Sequence, residues 1–124
     1  MARILIIEDN AANMKLAKLL LSNAGHSTLC AVDSEAGLIL ARTELPDLIL
    51  MDIQLPGMDG LAATTLLKQD PTTSAIPIIA LTAMAMKEDR ERTRLAGCDA
   101  YIAKPLHYQD LLGAINALLL KEKT

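Results

Sequence analysis

Five short runs rich in branched aliphatic residues recur along the chain, at residues 3–8, 27–32, 47–52, 77–82 and 99–103, and a longer segment at helical spacing follows each. Runs such as Ile4-Leu5-Ile6-Ile7 and Leu48-Ile49-Leu50-Met51 have no polar side to turn toward water, so they belong to strands covered on both faces. Strands of that kind, alternating with helices, build a parallel sheet between two helical layers. The expected helices are Ala11–Ala24, Ser34–Glu44, Gly60–Gln69, Met84–Ala96 and His107–Lys121. The fold class is therefore α/β, five parallel strands with five helices in a doubly wound arrangement.

Punctuation agrees with these boundaries. Gly25 and Gly97 stand where left-handed residues end helices, Pro46 and Pro71 lie just beyond two others, and Asp33 or Ser34 is placed to cap the second. The fourth helix carries a charged strip from Lys87 to Arg94, with Glu88 and Arg92 at a favourable i,i+4 spacing. No repeat or linker divides the 124 residues, so residues 1–124 are expected to form a single domain with no output domain. A chain of this length buries about two-thirds of its unfolded surface, enough for a core without disulfides or a structural metal.

Composition narrows the function. With Tyr101 and Tyr108 as the only aromatics, the core is built from Leu, Ile, Val, Ala and Met, and there is no platform for stacking bases. The net charge of −3 argues against direct nucleic-acid binding. No apolar stretch is long enough to insert in a membrane, and the run after Arg3 ends too soon, in Glu8-Asp9, for a signal peptide. Cys30 and Cys98 lack metal-ligand spacing and read as reduced thiols, which suits a cytoplasmic location. His26 and His107 have no triad partners at a telling spacing and read as surface or strand-edge residues.

The chemistry lies in what terminates the apolar runs. The first ends in Glu8-Asp9, the third in Asp52, the fourth in Thr82 and the fifth in Lys104-Pro105. A parallel sheet gathers these carboxyl ends on one edge, where ligands bind. If the first and third strands are neighbours, the carboxylates crowd, and two such charges about 4 Å apart repel by about 4 kcal/mol at an effective dielectric of about 20. A cation relieves that. With oxygen ligands only, the expected ion is Mg²⁺, with Mn²⁺ able to substitute. A carboxylate beside such an ion can attack phosphorus to form an aspartyl phosphate, and Asp52 is the natural nucleophile. Thr82 and Lys104 are placed to contact the phosphoryl oxygens through a hydroxyl and a point charge.

At this point the residues resemble the receiver domain of two-component response regulators over essentially the whole chain. The matching segments are Ile6 to Asn10, Leu48 to Gly60, Ile78 to Ala83 and Gly97 to Pro105. The resemblance is closest to single-domain regulators of the DivK type, which act in cell-cycle and polarity signalling. It implies a flavodoxin-like sheet of strand order 2-1-3-4-5 and a phosphorelay switch that accepts a phosphoryl group from a phosphohistidine on Asp52. Glu8, Asp9, Asp52 and the backbone carbonyl of Gln54 then hold Mg²⁺, Thr82 and Lys104 read the phosphorylated state, and Tyr101 follows Thr82 as the switch aromatic. The family often has Asp where this chain has Glu8, which keeps the charge. It also usually has a cis bond at Lys104-Pro105.

The partners so implied are a histidine kinase or histidine-phosphotransfer protein, met by the first helix, and a downstream protein met by helix four, strand five and helix five. No small-molecule turnover is expected, only self-phosphorylation and slow-to-moderate self-hydrolysis, because Met84 brings no acid or amide to a position flanking the attacking water, opposite Gln54. Pro56-Gly57 and Gly60 shape the loop after Asp52, Gly60 by admitting close backbone approach. A phosphohydrolase of the haloacid-dehalogenase kind needs a second Asp where Gln54 stands, and a flavodoxin-like electron carrier needs a Gly- or Ser-rich loop where Asp9-Asn10-Ala11-Ala12-Asn13 stands. A phosphorylation-independent adaptor and a receiver excised from a hybrid histidine kinase remain as alternatives.

Overall fold

The computed structural model describes residues 2–83 and 87–123, with side chains throughout these except at 87–89 and 121–123. Strands β1 (Arg3–Ile7), β2 (Ser27–Ala31), β3 (Leu48–Asp52), β4 (Ile78–Thr82) and β5 (Ala100–Ala103) alternate with helices α1 (Ala11–Asn23), α2 (Ser34–Glu44), α3 (Gly60–Gln69), α4 (Lys87–Ala96) and α5 (Tyr108–Lys123). All pairings are parallel and the order across the sheet is β2-β1-β3-β4-β5. The crossover from β2 past β1 to β3 makes β1 and β3 neighbours, which is what the acidic site requires.

The alternation of side chains along a strand divides the core in two. Ile4, Ile6, Leu48, Leu50, Ile79 and Leu81 face Ala17 and Leu21 of α1 and Leu111 and Ile115 of α5. Leu5, Ile7, Ile49, Met51 and Ile78 face Leu38 and Ala41 of α2 and Ala63 and Leu67 of α3. Each wholly buried Leu, Ile or Met among these is worth about 1.5–3 kcal/mol relative to exposure.

The starts of α1, α2 and α3 follow one pattern. Asn10, Asp33 and Asp59 accept from the backbone N–H of Asn13, Ala36 and Ala62 at 2.9, 2.8 and 2.8 Å, satisfying donors that the first turn leaves open. Of the two residues that sequence offers as the cap of α2, Asp33 takes the role. Gly25 and Gly97 are left-handed, at φ of 89° and 107°, and so is Leu45 at 46°, where no glycine advertised it. The strands and two helices depart from the expected bounds by one or two residues: Glu8 and Val32 lie beyond their strands, Ala24 is the C-cap of α1, and α5 begins after His107 and continues to Lys123. The expected start of the fourth helix at Met84 and the Glu88 side chain lie outside what is described; within α4, Arg94 pairs with Glu91.

At the amino edge of the sheet Lys68 Nζ donates to the carbonyls of Ser74 and Ile76, at 3.3 and 2.8 Å, and to Asp99 Oδ2 at 3.0 Å. Asp99 also accepts from Ile78 N–H at 2.8 Å, so the end of α3 and the entries to β4 and β5 are tied together. His26, half-buried before β2, accepts from the backbone N–H of Ala2 through Nδ1 at 3.1 Å, whereas His107 is exposed. Among the described residues no helix is long and apolar enough to cross a membrane.

Candidate metal and phosphoryl site

The parallel sheet delivers its carboxyl ends to one edge. Ile7 pairs with Met51, so Glu8 and Asp52, one residue further along each strand, arrive side by side. Thr82 closes β4 opposite Ala103 of β5, which puts Lys104 on the same edge, and Lys104 N–H donates to the Thr82 carbonyl at 2.7 Å. Carboxylate oxygens of Glu8, Asp9 and Asp52 lie within 4.8 Å of one another. Glu8 and Asp52 are both 2 % exposed, while Asp9 faces solvent.

Lys104 joins the two buried acids. Its Nζ lies 2.8 Å from Glu8 Oε1 and 3.2 Å from Asp52 Oδ2. The remaining carboxylate oxygens meet backbone: Asn10 N–H donates to Glu8 Oε2 at 3.2 Å and Gln54 N–H donates to Asp52 Oδ1 at 2.9 Å. The Lys104-Pro105 peptide bond is cis. Burial pushes the Glu8 carboxyl above its ordinary range, and contact with Asp52 adds to the rise against the opposing pull of Lys104 and Asn10 N–H. Burial alone would lower the Lys104 ammonium, but its contacts with Glu8 and Asp52 prevail and hold it up.

These groups fit a hard dication. Three carboxylates and one ammonium leave a formal charge of −2, so the single lysine does not neutralise the cluster. An all-oxygen donor set with one solvent-facing member suits Mg²⁺, which binds through a few carboxylates and keeps water. From Glu8 and Asp9 an open pocket of about 380 Å³ extends along Ala11, Met14, Lys15 and Lys18 of α1 to Val32.

The loop after Asp52 leaves little room for change. A Cβ on Gly60 would sit 2.2 Å from the Asp52 carbonyl oxygen and 2.7 Å from Ile53 Cα, so only glycine admits this approach. Gly57, at φ of 72°, turns the loop, and Pro56 precedes it exposed. Thr82 is fully buried, Gln54 is exposed, and Met84 lies outside the described residues. Tyr101 is half-buried on β5 with the Arg90 guanidinium of α4 5.5 Å from its ring centroid. Both cysteines are free thiols, Cys30 exposed and Cys98 half-buried with Sγ 3.9 Å from Thr64 Oγ1.

Two contacts around the site had no sequence signal beyond residue type. One is the direct grip of Lys104 on both buried acids. The other is Ser34 Oγ donating to the Met58 carbonyl at 2.7 Å, which joins α2 to the loop after Asp52.

A doubly wound sheet that gathers acids, a hydroxyl and a lysine on its carboxyl edge is the architecture of receiver domains, and the chain belongs to the response regulator receiver domain family, whose sequence pattern matches residues 4–116. It is 47 % identical over 116 residues to the polar-differentiation response regulator DivK of Brucella anthropi, covering 94 % of each protein. The DivK of Brucella abortus is similar at the same identity and coverage. Among solved structures it resembles the receiver domain of a sensor histidine kinase from Pseudomonas aeruginosa, with a magnesium ion coordinated in the active site cleft; the TM-score is 0.89 at 33 % identity, covering 95 % of this chain and 97 % of that one. A CheY-like receiver domain protein from Methanospirillum hungatei superimposes with a TM-score of 0.91 at 31 % identity, covering 99 % and 97 %. The general role of such domains is phosphorylation-based two-component signalling, in which they meet histidine kinases and downstream targets.

Proposed function

We propose that this receiver is a DivK-like phosphorelay switch that takes a phosphoryl group from a phosphohistidine onto Asp52 and signals through protein contacts. The observation that carries this reading is the bridging of buried Glu8 and Asp52 by Lys104, at 2.8 and 3.2 Å, beside a third carboxylate. An Asp52 oxygen attacks phosphorus, a P–O bond forms as the P–N bond breaks, and the electron pair leaves on the imidazole nitrogen, which then takes up a proton. Lys104 stays as a point charge toward the transferred group, and the Thr82 hydroxyl donates to it. Glu8, Asp9, Asp52 and the Gln54 carbonyl would hold Mg²⁺, or Mn²⁺ in its place, which when bound neutralises the phosphoryl oxygens.

The aspartyl phosphate carries about −1.5 to −2 charges where the carboxylate carried one, so the net gain is at most about one negative charge, and it shifts an existing equilibrium rather than building a new fold. Tyr101 then moves with Thr82, and α4, β5 and α5 present the altered face to a downstream protein, while α1 meets the histidine kinase or phosphotransfer protein. The protein turns over no small molecule and acts in the cytoplasm. The likeness to a receiver domain of a sensor histidine kinase favours a second reading, a receiver that works inside a hybrid kinase.

Intact mass after incubation with a small phosphodonor, with and without Mg²⁺, tests the chemistry on wild type and Asp52→Asn. One Mg²⁺-dependent phosphoryl adduct, lost in the variant, is expected. A folded wild type that takes no adduct returns the protein to the adaptor reading, and a variant that keeps one places the phosphoryl group elsewhere and strips Asp52 of its role.

A further inference from the structure

Ser34 is an unusual place for a hydroxyl. It is the first residue of α2, is 1 % exposed, and lies outside the acidic cluster. Capping of α2 is already done by Asp33, whose side chain accepts from Ala36 N–H at 2.8 Å. The Ser34 hydroxyl instead leaves its own helix and donates to the Met58 carbonyl at 2.7 Å, across 24 residues of sequence.

Met58 sits in the loop of residues 53–59 that follows Asp52, and both ends of that loop press on Asp52. At its start Gln54 N–H donates to Asp52 Oδ1 at 2.9 Å. At its end Gly60 packs against the Asp52 carbonyl and its N–H donates to Ile53 O at 3.3 Å. Between them Pro56 and Gly57 are exposed and border, with Asp33, Ser34, Glu35 and Met58, an open cleft of about 280 Å³. The loop spans that cleft, with the Ser34 bond holding it to α2.

The other side of Ser34 leads to Glu8. The backbone N–H of Glu8 donates to Ala31 O at 3.0 Å, and Ala31 stands only three residues before Ser34. The contacts therefore close a ring: Glu8 to the end of β2, through the α2 cap to Ser34, across to Met58, back along the loop to Asp52, and through Lys104 to Glu8 again. Cutting the ring at Ser34 frees the loop to shift Gln54, and with it the Asp52 carboxylate, relative to Glu8.

We infer that Ser34 is a positioning residue for the dication site, holding the loop after Asp52 at the separation from Glu8 that the ion requires. This rests on the Mg²⁺ reading given above. Groups that orient ligands from outside the ligand set typically change metal affinity by about 10–100-fold, and a single neutral bond to a loop carbonyl belongs at the lower end.

Isothermal titration of metal-free protein with MgCl₂ tests this without any phosphoryl chemistry. Ser34→Ala is expected to weaken Mg²⁺ binding about tenfold, with faster amide exchange in residues 53–59, and Ser34→Thr, which keeps the hydroxyl, is expected to restore both. Ser34→Cys, nearly isosteric but a weak donor, carries the same comparison if the alanine variant does not fold. Wild-type affinity in a folded Ala or Cys variant overturns the inference, as does failure of both to fold while Ser34→Thr folds, since the hydroxyl is then a requirement of the fold. Absence of Mg²⁺ binding in folded wild type overturns instead the metal reading on which it rests, and the inference with it.

Discussion

The three inner strands and the two flanking ones are built from similar residues but live in different surroundings. β3 and β4 are buried at every position and β1 at all but Arg3, whereas β2 is buried fully only at Ala31 and β5 only at Ile102. The acids that would bind metal and phosphoryl group extend from β1 and β3, and Tyr101 lies on β5 beside the exposed Arg90. Groups that must hold a fixed separation sit on the part of the sheet that costs most to deform, and the group that would report the change sits where deformation is cheap.

The most direct way to break that contrast is to make one substitution in both settings. Leu50 on β3 is wholly buried, and Leu50→Ala should cost about 2–5 kcal/mol, the range for a leucine truncated inside a packed core. Leu29 on β2 is half-buried, and Leu29→Ala should cost less than half as much, because solvent and relaxation fill part of the gap. Urea denaturation measures both. Equal losses would mean that the flanking strand is as rigid as the centre and would remove the mechanical basis for the proposal that the readout lies there.

Sequence made the inner strands legible for the same reason that they are rigid. Ile4 to Ile7 and Leu48 to Met51 are apolar on both faces, a pattern with few other folded solutions, and the acids that terminate them stand out against it. Lys104 was identifiable by the way it ends β5. Its double grip on Glu8 and Asp52 was not, because that contact joins residues 96 positions apart and depends on the packed register of four strands. The same holds for Ser34 with Met58 and for Lys68 with Asp99 and the carbonyls of Ser74 and Ile76. Such bonds obey no periodicity, so nothing local marks one serine or lysine among several. Leu45 escaped notice for a related reason: its left-handed turn lacks the glycine that ordinarily signals one.

A second, smaller effect concerns the seam where a flanking strand meets the centre. His26, just before β2, accepts the Ala2 N–H through Nδ1, and burial lowers its pKa below the ordinary 6.5. The sign follows from the neutral ring being the form that the fold prefers. Stability from this group is fully present above 6.5 and declines as pH falls through the lowered folded value, where protonation would set a donor against the Ala2 donor. His26→Asn should flatten that part of the acid limb in thermal unfolding followed against pH. Parallel limbs for variant and wild type would show that the seam does not feel the charge of this ring.

The smallest expected effect bears on Tyr101, the proposed readout. Arg90 places its guanidinium 5.5 Å from the Tyr101 ring centroid, and an exposed cation–π pair is worth about 0.5–1 kcal/mol. That is too little to hold β5 together, but it is the right order to bias a ring between two positions separated by a similar energy. Tyr101 and Tyr108 are the only fluorophores in the chain, so a Tyr108→Phe background isolates the emission of the first. In that background Arg90→Ala should raise acrylamide quenching of Tyr101, and Arg90→Lys, which keeps a charge without the planar stacking surface, should fall between. The denaturation midpoint should barely move. Quenching that rises together with a large loss of stability would make Arg90 part of the scaffold and blur the line between inner and outer strands. Unchanged quenching would show that the ring is held by β5 and its other neighbours, so that α4 follows Tyr101 rather than setting its position.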